Sequence, residues 1–152
     1  GGVSELVSFY AAHNQMRAEA PDLLARLYED FIFDRQREHA PDDVMTIEHP
    51  LFTWDGSRLL GRLSKRQVHG GYALAGKAMD EQAAAALTAL ETIMTAPGMR
   101  KKFYFEPGQI QIVNNKTCGH SRTAFTDWPE PERHRNLTRL WLRHEGRVFY
   151  NG

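Results

Sequence analysis

The sequence predicts a mixed α+β fold, mainly β, with helices packed outside an antiparallel jelly roll or barrel. Three observations carry this expectation. Short runs rich in β-branched and aromatic residues are separated by turn signals, above all Asp55-Gly56 and Pro107-Gly108. Two stretches, 11–31 and 80–95, place apolar residues at helical spacing. At 152 residues, 41% apolar and 25% charged, the chain has the size and composition of one globular domain with its own core.

Taken in order, residues 3–10 read as a strand and 11–20 as a helix. A second helix begins at Pro21, whose fixed φ suits a first helical turn, and Leu23, Leu24, Leu27, Tyr28 and Phe31 continue its spacing. Residues 44–54 read as extended, Asp55-Gly56 as a hairpin turn and 58–68 as the return strand. His69-Gly70-Gly71 reads as a loop. Asp80 is placed to cap a helix running to about Thr95, with Ala83, Leu87, Leu90 and Met94 on one face. Pro97-Gly98 ends it. Four extended runs follow, over 102–105, 109–113, 119–125 and 136–143. There is no internal repeat and no interior linker.

Charge and composition exclude several function classes. The formal net charge is zero, with basic residues dispersed apart from short runs such as Arg100-Lys101-Lys102. No bulk field therefore favours nucleic acid or an anionic membrane, and no apolar run approaches a membrane span. Cys118 is the single cysteine, so no internal disulfide framework exists, and a reducing cytoplasmic compartment is expected. The chain opens Gly-Gly without Met, which points to processing, truncation or a start inside a longer protein.

Two features carry chemistry. On a strand, residues two and four apart share a face, so Arg135, Leu137, Arg139 and Trp141 are expected on one side of the last strand. The two arginines would be separated by roughly 13 Å of backbone, room for two anions or for one anion and one structural partner. Guanidinium binds carboxylate bidentately, and a partly buried guanidinium needs an anion. The competing reading is an exposed face laced with salt bridges. His120 is a candidate ligand for a divalent metal, since neutral imidazole suits Fe(II), Zn and Cu. His13, His39, His49, His69, His134 and His144 read as structural or surface residues. Cys118 and His120 alone do not complete a zinc site.

The block Asn114-Asn115, then His120-Ser121-Arg122-Thr123-Ala124-Phe125, followed by Arg135 and Arg139, resembles the distal motif of the Fe(II)/2-oxoglutarate-dependent oxygenases. Within them it is similar to the taurine dioxygenase and clavaminate synthase-like superfamily. Gly1-Gly2-Val3-Ser4 resembles the Gly-Gly-x-Ser/Thr element of the same superfamily. The resemblance spans nearly the whole chain. It implies a double-stranded β-helix (jelly roll), with residues 1–152 as the C-terminal part of one such domain. It also implies that His120 is the distal metal ligand, that Arg135 and Ser4 hold the far carboxylate of 2-oxoglutarate, and that Arg139 meets an acidic group of the primary substrate.

The family's His-x-Asp or His-x-Glu is missing from these residues. By the family order it belongs upstream of Gly1, in the same chain or supplied by a second chain; otherwise the site is dead. Gly119 stands where a larger residue commonly precedes the distal histidine, which implies a wider local pocket. The activity implied is hydroxylation of a small carboxylated metabolite, anionic or zwitterionic, amino acids included. Molecular oxygen is consumed, and 2-oxoglutarate becomes succinate and CO2. A halogenase or desaturase of the same superfamily, and a non-catalytic jelly-roll fragment or subunit binding an anion or a partner chain, are the alternatives.

Overall fold

The computed structural model describes residues 2–142. Its elements run β1 (Ser4–Ser8), α1 (Phe9–Glu19), α2 (Pro21–Arg26), β2 (Asp30–Asp34), β3 (Thr46–Pro50), β4 (Phe52–Trp54), β5 (Leu59–Gly61), α3 (Lys65–Ala75), α4 (Glu81–Thr95), β6 (Arg100–Phe103) and β7 (Cys118–Arg122), with a short 3-10 turn at Pro131–Arg133. The class is mixed α+β. The described strands form three small antiparallel sheets, β6-β1-β7, β2-β3 and β4-β5, and among the described residues none closes into a barrel. No described helix is long and apolar enough to cross a membrane.

The helices start where side chains can take up orphan backbone donors. The Ser8 hydroxyl accepts the Ala11 N–H, Ser64 accepts that of Gln67 and Asp80 that of Ala83. Pro21 opens α2 as expected, and Gly76, at φ 63°, closes α3 in the left-handed conformation that costs glycine nothing. The core joins Val7, Phe9 and Met16 to Leu24, Leu27, Phe31, Phe33 and Phe52, and to Ala83, Ala86, Leu87, Leu90 and Met94 of α4. The Ala83, Leu87, Leu90, Met94 stripe lies inside, as its spacing predicts.

Several expectations are corrected. Phe31 continues the helical spacing of α2 but belongs to β2, where Phe31, Ile32 and Phe33 are all buried. Residues 65–75 form a helix rather than strand and loop, so His69-Gly70-Gly71 is helical. The reason is packing: a Cβ on Gly71 would lie 2.3 Å from the Ile32 carbonyl oxygen, so the glycine lets α3 lie directly on the β2 backbone. Residues 109–113 and 136–142 form no strand, and Arg143 lies outside the described residues. The shared-face argument for Arg135, Leu137, Arg139 and Trp141 therefore does not hold, and Leu137 and Trp141 are exposed.

Candidate functional site

The three-stranded sheet positions the site. Directly paired residues of antiparallel strands project to the same face. The register pairs Ser4 with Arg122 and Phe103, Leu6 with His120 and Lys101, and Ser8 with Cys118. These side chains share one face. Glu5, Val7, Arg100, Lys102, Gly119 and Ser121 share the other.

The second face meets the core. A Cβ on Gly119 would lie 3.0 Å from Val7, 3.2 Å from Met94 and 3.2 Å from Phe9. The space made by this glycine therefore faces the core, and the expectation of a wider pocket beside His120 is corrected. On the same face the buried Glu5 carboxylate accepts hydrogen bonds from Arg100 at 2.7 Å and from the Ser121 hydroxyl at 2.9 Å, with the Lys102 ammonium 3.4 Å away. The Ser121 hydroxyl, then Lys102 and Arg100, hold its carboxyl below the usual value against the opposing effect of burial.

The first face carries the sequence-predicted residues. Ser4 is buried and His120 is exposed. Partial desolvation first, and then the positive charge of Arg139, push the His120 imidazole below its ordinary pKa. A neutral ring is the form that ligates metal. Among the described residues no three His, Cys, Asp or Glu side chains converge on a metal position.

Arg135 is half-buried and approaches the start of β1. A Cβ on Gly2, whose φ is +80°, would lie 3.3 Å from Arg135 Nε and 3.6 Å from Phe125 Cβ. The backbone N–H of Arg135 donates to Asp127 Oδ1 at 2.8 Å, closing the loop between them. Asp127 thus ties down the Arg135 backbone. Arg139 is exposed, with its guanidinium carbon 5.8 Å from the Trp141 ring. Among the described residues neither Arg135 nor Arg139 is paired with a carboxylate, whereas Arg26, Arg35 and Arg100 each hold one. An open cleft of about 440 Å³ lies beside this face, lined by Leu6, Ser8, Lys101 and Cys118 among others. Ser4, His120, Arg122, Arg135 and Arg139 do not line it.

Residues 1–141 match the family described as taurine catabolism dioxygenase TauD, TfdA family. The chain belongs to that family. A curated relative, FR-33289 synthase of Streptomyces rubellomurinus (strain ATCC 31215), is 29% identical over 153 aligned residues, 98% of this chain and 45% of the relative. The chain therefore spans about half the length of that relative. Arg122 stands two residues after His120 and so shares its face on the strand.

Proposed function

We propose that this chain is the C-terminal part of a jelly-roll Fe(II)/2-oxoglutarate-dependent oxygenase that hydroxylates a small anionic or zwitterionic carboxylated metabolite. The observation that carries the reading is the shared sheet face of Ser4 and His120, next to arginines that lack a carboxylate partner among the described residues. In this reading Arg135 and the Ser4 hydroxyl hold the far carboxylate of 2-oxoglutarate, Arg139 meets the acidic group of the primary substrate, and His120 is one metal ligand.

The metal itself does not fit the described residues alone, since one imidazole leaves a facial triad two ligands short. The remaining His-x-Asp or His-x-Glu is assigned to a segment outside these residues or to a second chain, and that segment also completes the jelly roll. A non-catalytic anion-binding fragment is the second reading, favoured by the same lack of a metal-binding group. Arg135→Ala, made in the complete protein, decides. A charge-assisted hydrogen bond contributes roughly 1.5–3 kcal/mol, so 2-oxoglutarate affinity should fall by about tenfold to a hundredfold. Unchanged affinity would remove Arg135 from the site, and a complete protein that yields no succinate from 2-oxoglutarate would leave the non-catalytic reading.

A further inference from the structure

Arg122 has no assigned role, yet it occupies the most informative position on the open sheet face. It is the cross-strand partner of Ser4 and stands two residues from His120 on β7. Directly opposed residues bring their Cβ atoms to about 5 Å, so the Arg122 stem rises beside the Ser4 hydroxyl. Its guanidinium carbon lies 4.0 Å from the centroid of the Phe125 ring, and that of Arg135 lies 5.4 Å from the same centroid. Gly2, two residues before Ser4, leaves the room in which Arg135 and Phe125 meet the start of β1.

Two guanidinium groups are thus held at one phenyl ring, near the end of β7 that pairs with Ser4. Like charges repel, and a shared aromatic face offsets only part of that. Among the described residues no carboxylate is paired with either arginine. Asp127, the acidic residue closest in sequence to Arg122, accepts the Arg135 backbone N–H with one oxygen. An anion that enters between the two cations completes the arrangement.

We propose that Arg122 is a second guanidinium of the co-substrate clamp, binding the terminal carboxylate of a dicarboxylic 2-oxo acid together with Arg135 and Ser4, and that Phe125 is the positioning residue that orients both arginines. This rests on the reading of Arg135 and Ser4 given above and adds a residue to it. The competing account is that Arg122 only covers Phe125.

The test compares two ligands that differ at the far end alone: 2-oxoglutarate, and 2-oxovalerate, which carries a methyl group in place of the distal carboxylate. Both are titrated calorimetrically into the complete protein with Mn(II) supplied instead of iron, so that no turnover occurs. The ratio of the two affinities reports the far carboxylate and is indifferent to general loss of fold. Arg122→Ala is expected to reduce the ratio about tenfold, and Arg135→Ala at least as much. Phe125→Leu should reduce it by a smaller factor while leaving 2-oxovalerate affinity in place. If Arg122→Ala does not fold, Arg122→Gln, which keeps most of the stem over the ring, carries the same expectation. A ratio unchanged by Arg122→Ala but collapsed by Arg135→Ala overturns this inference and leaves the Arg135 reading standing. A ratio unchanged by either variant overturns both.

Discussion

Gly71 and Gly70 stand side by side in α3, and the structure separates their fates. Replacing either by Ala gains about 1 kcal/mol of helix propensity. At Gly71 the added methyl would lie 2.3 Å from the Ile32 oxygen, 2.5 Å from the Ile32 carbonyl carbon and 2.7 Å from that of Phe33. Comfortable carbon contacts lie near 3.5–4.0 Å, so helix and strand must part by about 1 Å. Every obstructing atom is backbone, and none can rotate away. Overpacking costs typically 1–3 kcal/mol, occasionally more, and a rigid obstacle places this site at or above the top of that range. After the propensity gain, Gly71→Ala should lose about 2–3 kcal/mol. At Gly70 the contacts are the Asp34 Cβ and Oδ2, both at 3.2 Å, and a side chain can yield. Gly70→Ala should stay within about 1 kcal/mol of the parent. Urea denaturation followed by tryptophan fluorescence and circular dichroism measures both. Equal stability of the two variants, or a stabilised Gly71→Ala, would refute the close packing of α3 on β2.

Two further outcomes follow from buried charge. Glu5→Gln keeps the shape of the Glu5–Arg100–Lys102–Ser121 cluster but removes its anion, so neutral-pH stability should drop by about 1–3 kcal/mol. Because the folded carboxyl titrates below its ordinary value of 4.5, the stabilisation is full above that value and fades as pH falls through the depressed one. The gap between parent and variant should therefore narrow in acid, and a gap constant down through the acid range would contradict the cluster. Asp80 both caps α4 and accepts from buried Arg26 at 2.8 Å. Asp80→Asn retains a capping oxygen, so Asp80→Ala should be the less stable of the two by about 1 kcal/mol in thermal or urea unfolding; the reverse order would show that the cap contributes nothing.

How much of this was legible depended on whether local signals agreed with tertiary contacts. Helix α4 was readable because the Asp80 cap, the 3.6-residue spacing and the Pro97-Gly98 stop all agree. Helix α3 carries a capping box at Ser64-Lys65-Arg66-Gln67, but its Gly70-Gly71 pair mimics a loop. Those glycines answer to a neighbouring strand 36 residues or more earlier in sequence, and no local rule sees that distance. Phe31 fits the spacing of α2, but the α2 helix ends at Arg26 and the chain turns into β2. Within the candidate site, the resemblance singles out Ser4 and His120, and the register places them on one face of the sheet. Arg122 lies on the strand that carries His120, whereas the spacing of Arg135 and Arg139 falls on a segment that is not a strand.

Gly119 has a consequence for how such sites evolve. Its missing side chain is a volume already occupied by Val7, Phe9 and Met94, while the next residue, His120, projects from the opposite side of the same strand. A bulkier residue at 119 would push β7 away from the helices and carry the imidazole outward with it. Relatives that hold a larger residue immediately before the distal histidine should therefore show smaller side chains at the positions of Phe9 or Met94. The height of the His120 imidazole above the sheet is set from beneath, by Val7, Phe9 and Met94.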